Sequence, residues 1–326
     1  MEQGAADVLL YEVGPRDGLQ NEPETVPTQT KRELIRRLTG AGLRRIEITS
    51  FVSPKWIPQL ADGAELAATV PLLPGVVYSA LVPNERGYDR FREAGGARVA
   101  AVFISASESH NRKNVNCSVA EQLERIGAVA RRAADDGVPL RAYVSTVCGC
   151  PYEGDVAVAA VVALTRALFD RGAAEVSLGD TIGVGHPGQV RALALAVAGE
   201  APLERVALHF HDTYGRAVAN VMAGYEVGIR TFDASLGGLG GCPYAPGASG
   251  NAATEDLVAL FESEGVATGV DIERLADAAA WIERDVLKRP LPGRAYRGIA
   301  GRRAREAAGE GSGSAGPAPR GPLAGR

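Results

Sequence analysis

The sequence predicts a (β/α)8 barrel followed by one further helix and a disordered tail. Eight short β-rich runs alternate with longer amphipathic stretches, the count that a TIM barrel needs. Many of the amphipathic stretches close on a glycine, at Gly42, Gly137, Gly172, Gly228 and Gly265, the residue that most readily takes a left-handed helix cap. The chain has 326 residues, a length that suits either one large α/β barrel or two medium domains, and with 46% hydrophobic and 23% charged residues it can fill a sizeable core. A doubly wound open sheet is the competing topology.

The expected strands are residues 8–13, 45–51, 76–81, 99–105, 140–146, 175–178, 206–211 and 231–235. The expected helices are residues 30–41, 119–136, 156–171, 188–198, 217–227 and 252–264, each with apolar positions at helical spacing. Residues 271–287 read as one more helix after the barrel closes. The barrel domain with this helix is placed at residues 1–290. From Arg302 to Arg326 the chain is Gly, Ala, Arg, Ser and Pro without apolar periodicity, which predicts disorder.

Composition excludes several function classes. A net charge of −4 and a pI of about 5.7 argue against general nucleic-acid binding, which needs a basic face. No apolar run approaches the roughly 20 residues that span a bilayer. Four cysteines in so long a chain make no disulfide scaffold, and a reducing compartment is the default. The first seven residues have neither a signal core nor an Arg-rich character, so a cytoplasmic protein is expected.

The chemistry-bearing residues gather at predicted strand ends. In His209-Phe210-His211 the alternation of a strand points both imidazoles to one face, and Asp212 follows at once. Such a pair suits two ligands of one divalent cation; two buried, hydrogen-bonded histidines are the structural alternative. His110 and His186 stand alone in expected loops and carry no such signal.

At the end of the first strand, residues 14–20 (Gly-Pro-Arg-Asp-Gly-Leu-Gln) present Arg16 beside Asp17. A carboxylate can complete a metal site, and a guanidinium can hold an oxygen that becomes anionic. A local ion pair on a turn would look the same. Glu47 lies between Ile46 and Ile48, so it faces inward if they face the helices. A buried acid needs a partner, and Arg16 is the candidate.

After the eighth strand, residues 237–251 are rich in glycine and carry Cys242 and Asn251. Such a loop lets backbone approach a ligand. Cys242 is either a proton donor or nucleophile, or an incidental small residue. Asn251 is either a helix N-cap or a carbonyl-oxygen ligand. No Gly-Lys-Ser/Thr follows, so this is no phosphate loop. Asp180, in the Gly-Asp-Thr run after the sixth strand, could support the site from behind. Cys148 and Cys150 have no second pair with which to bind zinc.

Several longer runs converge on one family: residues 13–22, 49–56, 149–154, 177–183, 209–215, and the cysteine loop through Asn251. In these the chain resembles the 3-hydroxy-3-methylglutaryl-CoA lyases, metal-dependent barrel enzymes of the superfamily named for its Asp-Arg-Glu motif. The likeness runs from about Tyr11 to Ala267. It implies that Asp17, His209, His211 and Asn251 are ligands of Mg²⁺ or Mn²⁺. It implies that Arg16 stabilises an enolate oxygen, that Glu47 completes the motif, and that Cys242 is the general acid, with His209 or Asp17 as first base. The expected reaction is cleavage of (S)-3-hydroxy-3-methylglutaryl-CoA to acetyl-CoA and acetoacetate, a step of leucine catabolism and ketone-body formation.

Lys55 and residues 113–116 (Lys-Asn-Val-Asn) are candidate contacts for the CoA moiety. The substrate is the one small-molecule partner expected; a homo-oligomer such as a dimer is the expected assembly. Pro23 stands where relatives often carry a basic residue, and residues 145–149 have their own arrangement. The alternatives are a lyase for a longer-chain 3-hydroxyglutaryl-CoA, a Claisen-condensing synthase of the same superfamily, and a non-catalytic metal- or CoA-binding barrel, which would need a lost ligand or acid. The synthases usually carry Gly-Glu-Arg where this chain has Gly241-Cys242-Pro243-Tyr244.

Overall fold

The computed structural model describes residues 6–241 and 250–308. Eight strands form a closed, all-parallel barrel in chain order. They are β1 (Leu9–Glu12), β2 (Arg45–Ser50), β3 (Val77–Leu81), β4 (Val99–Ser105), β5 (Leu140–Ser145), β6 (Ala173–Asp180), β7 (Val206–Phe210) and β8 (Thr231–Ala234). β1 closes the barrel on β8, with Leu9 opposite Thr231 and Glu12 opposite Ala234. The expected strands match to within two or three residues at their ends.

The helices are α1 (Thr28–Gly40), α2 (Gly63–Thr69), α3 (Glu85–Ala94), α4 (Glu108–Val115), α5 (Val119–Asp135), α6 (Val158–Asp170), α7 (Pro187–Ala198), α8 (Ala217–Val227), α9 (Thr254–Ser263), α10 (Ile272–Trp281) and α11 (Arg294–Ala307). All five glycines expected as caps have positive φ. Serine caps α5 in a reciprocal box, Ser118 with Glu121, which satisfies two otherwise orphaned donors. The short helices α2, α3 and α4, and the C-terminal α11, lie outside the expected set. α4 is Glu-Ser-His-Asn-Arg-Lys-Asn-Val, with no apolar stripe to announce it. His110, expected in a loop, therefore sits inside a helix and is buried. His186 does lie before a helix, where its Nδ1 accepts from the Gln189 amide and caps α7.

The C-terminal region bears out one expectation and corrects another. The helix expected at 271–287 is α10 with a wide helical turn from Ile282 to Leu287. Residues 302–307, expected in the disordered tail, belong to α11. Ala, Arg and Glu have high intrinsic helix propensity, which apolar periodicity does not measure. Arg302 and Arg303 also pair with Glu273 on α10, and Arg303 with Asp277. Residues 309–326 of the expected tail lie outside the described residues. Among the described residues no helix is long and apolar enough to cross a membrane.

Strand alternation sorts the side chains into two layers. Ile46, Ile48, Ala142, Val144, Val176, Leu178, Leu208, Phe210 and Phe232 pack outward in one continuous cluster with the helices. The residues between them point into the barrel, and that interior is largely polar: Glu47, Ser79, Arg141, Ser177, His209 and Asp233 are all buried. Only Leu81, Ala101 and Tyr143 make a small apolar cluster there, among the described residues. A polar interior beneath the mouth marks where the structure sacrifices simple packing.

Two further carboxylates tie the loops of the mouth together. Glu12 accepts from the amides of Gly14 at 2.8 Å and Leu236 at 2.9 Å, and from Thr254 Oγ1 at 2.6 Å. It thereby joins the turn after β1 to the turn after β8. Glu255, at the start of α9, accepts from the Gly237 amide at 2.8 Å. Burial pushes both carboxyls up, Glu12 to about 7 and Glu255 to about 8, with Glu12 adding to the rise at Glu255.

Two outcomes follow from this packing. Phe261 is fully buried against Tyr225 and Phe232, so Phe261→Ala should lower stability by about 3–5 kcal/mol in urea unfolding. A carboxyl whose folded pKa is raised stabilises the fold below its unfolded value and loses that contribution as pH rises through the folded one. Glu255→Gln should therefore melt like the parent near pH ~5 and hotter than it near pH ~9, as read by thermal denaturation.

Candidate active site at the barrel mouth

The chain leaves β1 in a wide helical turn, Gly14–Gly18, that buries both Arg16 and Asp17. Three successive amides, of Arg16, Asp17 and Gly18, converge on the Val13 carbonyl at 3.1, 2.7 and 3.2 Å. This fixes the two side chains toward the barrel axis. Arg16 Nε donates to Glu47 Oε2 at 2.5 Å and Nη1 to Asp17 Oδ1 at 2.6 Å. The inward orientation expected for Glu47 and its expected partner are both present. Tyr143 OH donates to the same Glu47 oxygen at 3.2 Å. Burial pushes the Glu47 carboxyl up, and Arg16 pulls it back.

Asp17, His209 and His211 come together, each offering a donor atom within 4.8 Å of the others. Among the described residues they form the one such group of His, Cys, Asp or Glu. The imidazoles of His209 and His211 lie 5.3 Å apart, centroid to centroid. Burial works to raise the Asp17 carboxyl, but Arg16, the two histidines and the Asn251 amide outweigh it and hold it at about 2. Burial lowers the His211 imidazole to about 4, with His209 beside it acting the same way. At neutral pH Asp17 thus presents a carboxylate and His211 a neutral imidazole.

Asn251 completes the group from the far side of the loop after β8. His211 and Asn251 face each other in an isolated antiparallel bridge. Asn251 Nδ2 donates to Asp17 Oδ2 at 2.9 Å and to the Leu239 carbonyl at 3.0 Å. It does not cap a helix: Ala253 holds the N-cap of α9. Gly240, at φ 122°, makes room for it, since a Cβ there would stand 2.7 Å from Asn251 Nδ2.

The residues present fit a hard or borderline cation. His211 Nδ1 and Asn251 Oδ1 are buried and have no hydrogen-bond partner among the described residues, an arrangement that buried polar atoms avoid unless something else binds there. One carboxylate, two imidazoles and an amide oxygen make a mixed N/O set.

Cys242 lies outside the described residues, as do its neighbours to Ser249. Asp180 is buried; its backbone carbonyl accepts from the His211 amide at 3.3 Å, and its carboxylate accepts from the Gly185 amide at 2.8 Å and the Val184 amide at 3.2 Å. It shapes the turn after β6. Cys148 and Cys150 do not converge on a common ligand set: Cys150 Sγ lies 2.9 Å from Ser107 Oγ, and Cys148 packs in the apolar layer.

A cavity of about 670 Å³ opens above these groups. Arg16, His209 and His211 lie on its lining, and Trp56, Lys113 and Asn116 belong to it as well. All four of residues 113–116 line it; Lys55 does not, although Trp56 beside it does.

The sequence reading missed the layer below. Asp233 on β8 faces His209, and Arg141 on β5 bonds Asp233 from beneath. The available signal was the same as for Glu47: a charged residue at an inward position of an otherwise apolar strand.

The family model described as HMGL-like matches residues 7–282. A hydroxymethylglutaryl-CoA lyase of Bacillus subtilis is 52% identical over 287 residues, 88% of this chain and 95% of its own length. The mitochondrial hydroxymethylglutaryl-CoA lyase of Gallus gallus is 48% identical over 275 residues, 84% of this chain and 92% of its own. The crystal structure of the B. subtilis HMG-CoA lyase aligns with a TM-score of 0.88 at 49% identity, covering 91% of this chain and 99% of that one. An HMG-CoA lyase from Acinetobacter baumannii, in complex with coenzyme A and 3-methylmalate, aligns with a TM-score of 0.85 at 38% identity, covering 89% and 94%. The match spans all eight strands together with Asp17, His209, His211 and Asn251, and the chain belongs to the HMGL-like family, alongside the hydroxymethylglutaryl-CoA lyases.

Proposed function

We propose that the protein is a divalent-cation-dependent lyase that cleaves (S)-3-hydroxy-3-methylglutaryl-CoA to acetyl-CoA and acetoacetate. The observation that carries this reading is the convergence of Asp17, His209 and His211 beside a clamped Arg16 on one cavity. The relatives at about half identity carry the same activity in their names, and a related lyase binds coenzyme A with a small hydroxy acid.

Asp17, His209, His211 and Asn251 would hold Mg²⁺ or Mn²⁺, which suits oxygen and imidazole donors. When bound, the cation supplies Lewis-acid polarisation that lowers the pKa of the substrate's tertiary hydroxyl. His209 or Asp17 takes the hydroxyl proton as general base. The oxygen's electron pair forms the ketone at C3, the C2–C3 bond breaks, and acetoacetate is the first product. The bond's electrons remain on the thioester fragment as an enolate.

Arg16 is built to meet that enolate. Glu47 and Asp17 hold its guanidinium in place, so little reorganisation is needed when charge develops on the oxygen. Cys242 then delivers a proton to C2 and releases acetyl-CoA, a role drawn from the family resemblance. The thioester's CoA arm would run out along Lys113–Asn116 and Trp56, on the cavity wall. A homo-oligomer in the cytoplasm is the proposed setting.

Purified protein with Mg²⁺ or Mn²⁺ should release acetoacetate from 3-hydroxy-3-methylglutaryl-CoA under reducing conditions, and EDTA should abolish the release. No acetoacetate from this substrate, with turnover of a longer 3-hydroxyglutaryl-CoA instead, would redirect the assignment to that substrate. Arg16→Gln should cut turnover on the order of 100-fold or more while changing Mn²⁺ affinity far less. His211→Ala should weaken Mn²⁺ binding by more than the roughly 10–100-fold that an outer partner is worth, as measured by calorimetry. Cys242→Ser should lose most turnover and keep its metal; undiminished turnover would remove the thiol from the mechanism.

A further inference from the structure

Beneath His209 the barrel holds a second charged constellation. Asp233 is buried on β8 and receives three donors from side chains of other strands. Arg141 Nη2 donates to its Oδ1 at 2.6 Å, Arg141 Nη1 to its Oδ2 at 3.3 Å, and Ser177 Oγ to its Oδ2 at 2.8 Å. The remaining neighbour of Oδ2 is His209 Nδ1, at 3.3 Å. Arg141 itself cannot swing away. Its guanidinium is held between the rings of Tyr11 and Tyr143, 3.9 and 4.6 Å from their centroids, and its Nε bonds Glu175 Oε1 at 2.5 Å.

We propose that Asp233 is a positioning residue for His209: it fixes the imidazole as the tautomer protonated on Nδ1, leaving the Nε2 lone pair for the mouth of the barrel. A carboxylate facing an arginine fork is ionised and only accepts hydrogen bonds. The ring nitrogen that meets it must then be the N–H of the neutral imidazole. The orientation follows from the same contact, because a second bond across the ring restrains its rotation. Arg141 and Ser177 act one step further out, by holding the carboxylate in register with Nδ1. A histidine in the other tautomer would present N–H to the site, with no lone pair for a cation or a proton. The consequence for metal binding and catalysis rests on the function proposed above; the tautomer itself does not.

The test uses full-length protein labelled with ¹⁵N-histidine, free of metal and at alkaline pH. The imidazole signals of His209, assigned by their loss in His209→Gln, should show the proton on Nδ1. In Asp233→Asn the amide oxygen should replace Oδ1 against Arg141 and the NH2 should face Nδ1, moving the ring proton to Nε2. Mn²⁺ affinity should then fall on the order of 10–100-fold with the circular-dichroism spectrum unchanged. A proton on Nε2 in the unsubstituted protein overturns the proposal. So does a folded Asp233→Asn protein with the tautomer and Mn²⁺ affinity of its parent. The tautomer is read without any variant, so failure of Asp233→Asn to fold leaves that arm decisive. Failure of the unsubstituted protein to bind Mn²⁺ would sink the proposed function while an Nδ1 proton still supports the role of Asp233.

Discussion

The mouth of this barrel depends on one buried guanidinium. Arg16 is 6% exposed and is held by carboxylates from two different elements, Glu47 on β2 and Asp17 on its own turn. A buried ion pair adds little net stability, but removing one partner leaves an uncompensated charge and is costly. The pairing therefore acts less as glue than as a constraint on shape. It sets the distance between the β1 turn and the β2 strand. It also fixes which oxygen of Asp17 is spent on Arg16, leaving Oδ2 for Asn251 and the cluster.

Charge alternates onward from that contact. Glu47 receives Tyr143, whose ring covers Arg141, and Arg141 bonds Asp233, which meets His209. Two members of the candidate ligand group, Asp17 and His209, thus stand at the two ends of one interior network. Aliphatic layers fill the ordinary barrel interior, and this chain gives up part of that packing to hold polar groups in place. The outer layer of Ile, Leu, Val and Phe between strands and helices carries the burial that stabilises the fold.

How much of this was legible in the sequence follows from the range of each interaction. The strands were readable because their outward-facing residues, such as Ile46 and Ile48 or Leu208 and Phe210, are apolar and recur in short runs between helical stretches. Ala217–Val227 and Val99–Ser105 were placed to the residue. Helix α4 was not, since its polar sequence earns its place by capping and by burying His110 rather than by an apolar face. Helix α11 was missed for the same reason, its Arg302 and Arg303 being held by exposed ion pairs with Glu273 and Asp277. At the site, Arg16, Asp17, Glu47 and the two histidines could be paired because turn and strand periodicity orient each of them locally. Arg141 and Asp233 are 92 residues apart, and only closure of the barrel brings them into contact. Their inward positions were as legible as that of Glu47, each being a charged residue in an apolar strand, but their pairing with each other was not.

The proposed site of a single divalent cation lies among Asp17, His209, His211 and Asn251. Anomalous diffraction from crystals grown with Mn²⁺ tests it most directly. The account predicts one strong anomalous peak within bonding distance of Asp17, both imidazoles and the Asn251 amide oxygen. A protein that turns over substrate with no peak there, or with its peak elsewhere, would contradict it.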